Sequence, residues 1–555
     1  MAVNISEKAI QPIVDLDTDV VVYVPGFAVK GPTEPTFVTK SLFTSLFGDL
    51  PYLFKNSYNG AEGNSILAGS PDRSWLYAKG LVDAGLTVLF HRQYPDNIDY
   101  AEPTSYTNSD GETGSLFTGS TNAFAIGTGA KTGPLAPQAG KTISVRAKYK
   151  GRYYAGMTVS ITREDGGLMK VKVTDGSSKL LEEKLISLKS SSENYIEGVE
   201  FANIEFYTNS GFASLGLDSI YAGLTGQFVY MSGSAKLETP KKKSSTPLGE
   251  DEVQDTPLGD NEDEVSVGDF LTSLSGTTSP MDVLEDTEKY TSISYITSGG
   301  YYQTEALAAK MQKLAYSIKS IALIDFSDSI SNGYDTLKTK FNKLSSEMAH
   351  KSKSASFIGA DTYVMSGYKL VVPDSYGYLL KLGSNIQSGI PYWLPIANNP
   401  NGVVSAVATT RPVTKSVREE MLDKIGISSN PIVYKQNIGY TIMGNRTLYP
   451  NEGVLGPQSF LNCQIVVNAI ERAARRAAQG LLIVSTDPNT AFRTFKQKVS
   501  KTCDKFLVNG DGLAAYSIRK IKKTRPATID TVIDLTLREG IEEWNISVPY
   551  SLEME

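Results

Sequence analysis

The sequence predicts an α+β multidomain protein. A chain of 555 residues is too long to fold around one hydrophobic core, and its length favours three or four domains. Helix and strand patterns alternate in residues 20–99 and 286–438, which is typical of an α/β or α+β core. Residues 141–231 are instead patterned mostly as strand, and the 30 Tyr and 48 Gly favour β-rich or mixed structure over a helical bundle.

The first core segment combines buried strands with helices. Val20–Val24 is a continuous apolar and mostly β-branched run, which predicts a buried strand. A strand and a short helix are expected over 37–47, a helix over 72–85, and a second core strand over 86–90.

Residues 100–285 have a different pattern. The stretch 100–140 is rich in Gly, Ser, Thr and Pro, which marks a domain junction or a long loop. Ile143–Ala147 and Met157–Ile161 then alternate apolar and polar residues, as half-buried strands do.

An acidic segment follows these strands. Eight acidic residues lie between Glu250 and Glu264 with no basic residue among them. Low hydrophobicity together with Pro and Gly predicts a mobile loop over 236–268. Such a loop is either a tail for a partner or a solvated excursion, and the pattern favours the second.

The rest of the chain alternates again and ends in strands. Helix and strand are expected at 304–319 and 321–326, and strands at 356–364 and 368–372. Two long helices follow, Phe460–Gln479 and Asn489–Val508, and the chain then alternates apolar and polar residues to its end. At 100° per residue, Phe492, Phe495, Val499, Cys503 and Phe506 share one stripe of the second helix.

Charge and hydropathy argue against two classes of partner. The net charge of −6 is mild and gives no reason to expect nucleic-acid binding. No apolar run approaches the roughly 20 residues that a membrane span needs. No secretory signal is seen at the N-terminus, so we expect assembly in a cytoplasm.

Histidine and cysteine are scarce, which argues against a catalytic or metal site. His91 and His350 are too far apart in sequence for a histidine-rich metal site, and neither lies near a recognisable nucleophile. Cys463 and Cys503 are expected to be reduced and partly buried. We therefore expect no catalytic residue, no metal and no cofactor.

Two short matches to catalytic motifs lack the other residues that each motif requires. Gly140-Lys141-Thr142 lacks the earlier glycine of a phosphate loop, and the residues after it are patterned as strand where a helix is required. Ser366 and Lys369 have the spacing of serine–lysine hydrolases, but the companion motifs are missing.

Several longer motifs occur in collinear order. The C-terminal part opens at Gly439 and contains Gly444, Arg446, Thr447 and Leu448. Upstream segments complete the set: Val22–Phe27, Gly31–Pro35, Leu46–Gly48, Tyr77–Arg92 and Ser388–Ala397. This order resembles the contractile tail sheath proteins of bacteriophages and related injection machines, in which a Trp stands where this chain has Met443.

The resemblance implies a discontinuous α/β core domain with an inserted β-rich domain and extended N- and C-terminal arms. The implied divisions are an N-terminal arm (1–19), a first core part (20–99), an inserted protruding β-rich domain with the mobile acidic loop 236–268 (100–285), a middle core part (286–438), a conserved C-terminal sheath core (439–540) and a C-terminal arm (541–555).

The resemblance also implies a function. Sheath subunits stack as hexameric rings in a helical homo-oligomer around a tail tube, and contraction drives the tube through the envelope of the target cell. The implied partners are the chain itself, the tail tube protein, and the baseplate and tail terminator proteins. The implied place is the virion tail, assembled in the host cell cytoplasm.

The candidate contact residues come from the helix patterns and the chain ends. Lys498, Lys501 and Lys505 lie together opposite the apolar stripe and are candidates for contact with the tube, the role that the resemblance gives to a charged helix here. Alternating or apolar strands are candidates for exchange between subunits: Val20, Val22, Val24, Trp544, Ile546, Val548 and Tyr550. An ordinary strand within one subunit fits these patterns equally well.

Three alternatives stay open. The chain could be the sheath of a phage-derived contractile injection system, which the sequence does not separate from a phage tail sheath. It could also belong to another class, either a tail-associated hydrolase or a static β-domain structural protein. Neither of these two should polymerise into six-fold helical tubes.

Overall fold

The fold is that of a computed structural model. It describes residues 20–93, 102–231, 267–326 and 350–538, apart from breaks within these stretches, of which the longest are 115–125, 129–142 and 209–225. The predicted arms 1–19 and 541–555, the strand candidates Trp544, Ile546, Val548 and Tyr550, and nearly all of the predicted acidic loop lie outside the described residues.

The described chain divides into two compact units. The first unit contains Val24–Val82 and Val88–Phe270, and the second contains residues 20–23, Asp83–Thr87 and 271–538. Both units mix helices with sheets, so the predicted α+β class is confirmed at that level.

The first described elements follow the predicted order. They are β1 (Val21–Gly26), β2 (Thr36–Val38), α1 (Lys40–Phe47), α2 (Arg73–Asp83) and β3 (Thr87–Arg92). Every residue of β1 is buried, as its apolar run predicts. The carboxylate of Asp72 accepts from the N–H groups of Ser74 (3.1 Å) and Trp75 (2.8 Å), which satisfies donors that the first turn of α2 leaves free.

The middle of the chain is described as strands. They are β4 (Glu102–Asn108), β5 (Thr113–Gly114), β6 (Ile126–Thr128), β7 (Ile143–Ala147), β8 (Thr158–Glu164), β9 (Leu168–Thr174), β10 (Leu180–Ser187), β11 (Ile204–Thr208) and β12 (Gly226–Met231). They form a six-stranded sheet in the order β10-β9-β8-β12-β4-β5 and a three-stranded sheet in the order β11-β7-β6. The strand β7 begins at Ile143, where the sequence pattern predicts a strand.

The chain then returns to alternating helices and strands. These are α3 (Val267–Ser275), β13 (Ile293–Ile296), α4 (Glu305–Ile318), β14 (Ile321–Phe326), β15 (Ser354–Ile358), β16 (Ala360–Met365), β17 (Tyr368–Pro373) and α5 (Ser375–Gln387). Because α3 begins at Val267, the last two residues of the predicted acidic loop are helical, which corrects the end of that loop.

The C-terminal elements complete the fold. They are β18 (Ala408–Thr409), β19 (Ile425–Gly426), β20 (Ile432–Lys435), β21 (Gly439–Ile442), β22 (Asn451–Glu452), α6 (Leu461–Gln479), α7 (Pro488–Val508), β23 (Leu513–Lys520) and β24 (Thr531–Leu537). The last two strands form a two-stranded sheet of their own.

The strand β1 lies inside the large sheet. The sheet that contains it has the order β15-β14-β13-β1-β3-β2, and β1 runs parallel to β13 with Val22 opposite Tyr295. Within this single chain β1 thus has a neighbouring strand on each side. Exchange of Val20, Val22 and Val24 with a neighbouring subunit stays a prediction.

Candidate functional site

The motif Gly444–Leu448 lies against the end of the large sheet. The strand β15 is the last strand of that sheet, and an unpaired edge invites association with other chains. The Leu448 N–H donates to the carbonyl of Ser354 (2.8 Å), and the Asn430 N–H donates to that of Ser356 (2.9 Å). These bonds occupy carbonyls of β15, so the motif segment helps to close the sheet.

Buried side chains hold this segment in place. Arg446 is 2% exposed, and its guanidinium lies 5.2 Å from the centre of the Phe460 ring, within the range of a cation–π contact. Thr447 donates through its hydroxyl to the carbonyl of Gln458 (2.6 Å). A Cβ at Gly444 would come within 2.6 Å of Asn430 Oδ1, so only glycine fits there without a shift. The motif residues therefore stabilise the position of this segment against the sheet.

The helix α6 is fastened to the end of α4 by three polar side chains. Asn468 donates to the carbonyl of Ser320 (3.1 Å), Arg475 donates to that of Ser317 (2.9 Å), and Arg472 donates to that of Lys319. Cationic groups at a helix C-terminus also interact favourably with the helix dipole.

An ion pair between a buried lysine and a half-buried glutamate adds to this joint. Lys353 is 5% exposed, and its Nζ lies 2.8 Å from an oxygen of Glu471 and also donates to Asn468. Burial lowers the pKa of Lys353, while Glu471 acts to raise it. The ion pair and the amide together satisfy a charge that would otherwise be costly to bury.

The helix α7 divides into faces of different character. Val499, Cys503 and Phe506 are buried, whereas Phe492 and Phe495 of the same predicted stripe are half-buried. The carboxylate of Asp487 accepts from the N–H groups of Asn489 (3.1 Å) and Thr490 (3.0 Å) and so caps the first turn.

The three candidate lysines form a basic face on α7. Lys498 and Lys501 are exposed and Lys505 is half-buried. None of them forms an ion pair with any acidic group in the described part of the chain. We call Lys498, Lys501 and Lys505 the lysine face; its charge is unopposed by pairing within the described chain.

The hairpin of β23 and β24 packs beside α7. Its register places Ile518 opposite Ile533 and Tyr516 opposite Leu535, so these apolar residues share one side. Apart from Ile518, which is buried, they are only half-buried. The other side is polar, with Asp534 accepting from Ser517 (2.9 Å) and Arg519 (3.0 Å).

An aromatic cluster joins the predicted segment Ser388–Ala397 to α7. The ring of Trp393 lies 4.9 Å from that of Phe506 and 5.1 Å from that of Tyr392. A Cβ at Gly512 would lie 3.2 Å from the Trp393 ring, so the start of the hairpin also approaches this indole closely. The cluster thus ties the middle of the chain to the C-terminal helix and hairpin.

The histidines and cysteines of the described residues lie in structural surroundings. Among the described residues, no group of three or more His, Cys, Asp or Glu could hold a metal ion. His91 is buried and its pKa is lowered to about 4 by burial, while the ring of His350 lies 4.8 Å from that of Tyr316, tilted by 57°. Cys463 and Cys503 are buried thiols that form no disulfide with each other. Within the same residues, no helix is both long and apolar enough to cross a bilayer.

Sequence reasoning found the lysine face and the motif but missed the side chains that hold them. Asn430, Asn445 and Asn462 form buried side-chain bonds around the motif, including one of 2.6 Å between Asn445 and Asn462. No local pattern points to the long-range partners of these asparagines.

The fold was compared with known proteins. No protein-family model matches this chain, and neither does any curated protein. Several solved structures are similar. The helical sheath of the anti-feeding prophage in its contracted state shares 14% identity, with a TM-score of 0.38, covering 50% of this chain and 75% of the other.

Two further structures give similar values. The sheath complex of an extracellular contractile injection system, PVC, in its contracted state shares 15% identity with a TM-score of 0.38, covering 47% of this chain and 72% of the other. The baseplate of the anti-feeding prophage shares 15% identity with a TM-score of 0.38, covering 50% and 74%. These solved structures come from contractile injection systems, and a contractile sheath is the class of protein that the sequence motifs of this chain resemble.

Proposed function

We propose that this chain is the subunit of a contractile sheath. Subunits assemble as stacked hexameric rings around a tube, and contraction drives the tube through the envelope of the target cell. The partners are other copies of the chain, the tail tube protein, and the baseplate and tail terminator proteins. The sheath forms in the host cytoplasm and ends as part of a virion tail or of a phage-derived injection system.

The proposal also covers the domain organisation. Strands from residues 21–92 and 293–358 belong to one sheet, while the strands between them form other sheets. This arrangement supports a discontinuous core with a β-rich domain inserted over 100–285. The same organisation is implied by the sequence resemblance.

The observation that carries the proposal is the C-terminal hairpin. The sheet of β23 and β24 has only two strands in the described chain, and most of its apolar side is half-covered. A two-stranded hairpin is marginally stable by itself, and its edges can accept a further strand. The alternating segment Trp544–Tyr550 of a neighbouring subunit has the length and pattern of such a strand.

The lysine face supplies the second contact. Its unpaired charges suit an acidic surface, which in this proposal belongs to the tube. Contraction itself draws on interfaces that form between subunits. About 400 Å² of additional apolar burial per subunit would contribute roughly 10 kcal/mol before opposing costs, and no nucleotide is needed.

The test of assembly uses alternate residues of one segment. Trp544, Ile546 and Val548 are replaced together by Ala, and the matched control replaces their polar neighbours Asn545 and Ser547 by Ala. Negative-stain electron microscopy over a concentration series should show striated tubes for the wild type and the control, and dispersed folded particles for the triple variant. Tubes of normal appearance from the triple variant would refute strand exchange through this segment.

The test of the tube contact uses charge reversal. Lys498→Glu with Lys501→Glu should abolish binding to the tube protein without unfolding the chain. Arg493→Glu with Lys496→Glu changes the same charge on another side of α7 and serves as the control. Equal loss in both variants would mean that net charge, and not the lysine face, governs binding.

A further inference from the structure

One acidic residue lies beside the lysine face and yet pairs with none of its lysines. Asp504 follows Lys501 by three residues, so at about 100° per residue the two side chains lie roughly 60° apart on α7. Oppositely charged residues at this spacing commonly pair on a helix surface. Asp504 and Lys501 are both exposed, but no ion pair between them occurs in the structure.

The partner of Asp504 is on the hairpin instead. The hydroxyl of Tyr516 in β23 donates to Asp504 Oδ1 at 2.6 Å. Tyr516 is half-buried, so its ring is held by packing while the hydroxyl reaches the carboxylate. A hydrogen bond to a charged acceptor is stronger than one between neutral groups, and this bond draws Asp504 towards the hairpin.

Two neighbouring aspartates also form local hydrogen bonds. Asp487 is held by the first turn of α7 and by the Thr490 hydroxyl, and Asp534 is held by Ser517 and Arg519. Asp487, Asp504 and Asp534 therefore all form hydrogen bonds with neighbours outside the lysine face. None of these three acids forms an ion pair with the lysine face.

We propose that Tyr516 is a positioning residue, which holds Asp504 away from Lys501 and thereby keeps the lysine face available to an acidic partner surface. This rests on the proposed function, in which the lysine face contacts the tube. Removing the Tyr516 hydroxyl would release Asp504 to pair with Lys501, and one lysine would then be lost from the contact.

The experiment is a double-variant cycle on the full chain. Binding of a fluorescein-labelled oligoglutamate peptide is measured by anisotropy at low salt for the wild type, Tyr516→Phe, Asp504→Asn and the double variant. Tyr516→Phe keeps the ring and should weaken binding about twofold, the size of one helix-surface ion pair. In the Asp504→Asn background the same change should have no effect, because Asn does not form an ion pair with Lys501.

The other outcomes distinguish a failure of the positioning role of Tyr516 from a failure of the lysine contact. Unchanged binding by Tyr516→Phe overturns the positioning role while leaving the lysine face intact. Equal weakening in both backgrounds also overturns it, because the tyrosine would then act only through packing. If the wild-type chain fails to bind the peptide, or Lys498→Glu with Lys501→Glu binds as the wild type does, the lysine contact of the proposed function fails and the positioning role fails with it.

Discussion

Asn430 binds both backbone groups of Arg446 through its side-chain amide. Its Oδ1 accepts from the Arg446 N–H at 2.7 Å, and its Nδ2 donates to the Arg446 carbonyl at 2.9 Å. The same Nδ2 lies 3.2 Å from the carbonyl of Ser356 in β15. One buried amide thus replaces a strand partner for the motif and links it to the end of the sheet.

Asn430→Ala should therefore destabilise the protein by about 2–4 kcal/mol, because buried donors and acceptors lose their partners together. Chemical denaturation followed by circular dichroism measures the loss. The control is Asn489→Ala, an exposed asparagine on α7, which should change the free energy of unfolding by less than about 0.5 kcal/mol. Equal effects of the two variants would contradict a structural role for Asn430.

Gly444→Ala should destabilise by roughly 1–3 kcal/mol, because the new methyl group would overlap Asn430 Oδ1 at 2.6 Å and Leu422 Cδ2 at 2.9 Å. Gly456→Ala is the comparison, since a Cβ there meets nothing closer than 3.7 Å and its φ of −111° suits any residue. Thermal melts of both variants measure the difference in stability. A melting temperature of Gly444→Ala equal to that of the wild type would show that the motif segment shifts at little cost to make room for the methyl group.

Two buried glutamines should respond in opposite directions to the same substitution. Gln303 and Gln312 are both 0% exposed. Gln303 donates to Ser298 Oγ (2.7 Å) and accepts from the Asp325 N–H (2.6 Å), whereas neither amide atom of Gln312 has a hydrogen-bond partner.

Gln312→Leu should raise the free energy of unfolding by about 1–2 kcal/mol, and Gln303→Leu should lower it by at least as much, because only the second leaves a bonded group without its partner. Urea denaturation of the two variants measures both signs. A loss of stability in Gln312→Leu would indicate that the amide has a bound water or another partner.

Asp325 should make a contribution to stability that falls as the pH rises from about 4 to about 7. Burial raises the pKa of Asp325 to about 7, although bonds from Ser375 oppose the shift. The pKa in the unfolded chain is about 3.9, so between these values the folded state holds the proton and the unfolded state does not, and this contribution levels off above about 7. His91 contributes with the opposite sign, because burial lowers its pKa to about 4 and its contribution rises with pH up to its unfolded value of about 6.5.

Asp325→Asn should remove the falling contribution, so the stability of the variant relative to the wild type should increase from about pH 4 to about pH 7. The amide can keep the contact with the Ser375 hydroxyl, which lies 2.6 Å from the carboxylate. Melting temperatures from pH 4 to 8 provide the measurement. Asp534→Asn is the control, because that carboxyl is exposed and its pKa is lowered by Arg519 and Ser517. A difference between Asp325→Asn and the wild type that stays constant through this window would contradict the assignment to Asp325.

The type of an element, helix or strand, could be predicted from the local sequence pattern. The elements that pack beside it could not. The helix predicted at 304–319 is Glu305–Ile318, and the strand predicted at 321–326 is Ile321–Phe326. The run at Val20–Val24 correctly indicated a buried strand, but it did not indicate that this strand lies between β13 and β3. An apolar β-branched run specifies burial on both faces, but it does not specify which strand will lie beside it.

The sequence by itself determined the alternation of helices and strands, the basic stripe of α7 and the motif around Arg446, because these depend on residues close together in the chain. Only the tertiary structure decided that Asn430 forms hydrogen bonds with that motif, that α6 does so with the end of α4, and that Tyr516 does so with Asp504. These contacts join residues that are 12 to 158 positions apart, and hydrogen bonds of that kind are set by where the backbone packs and not by any local period.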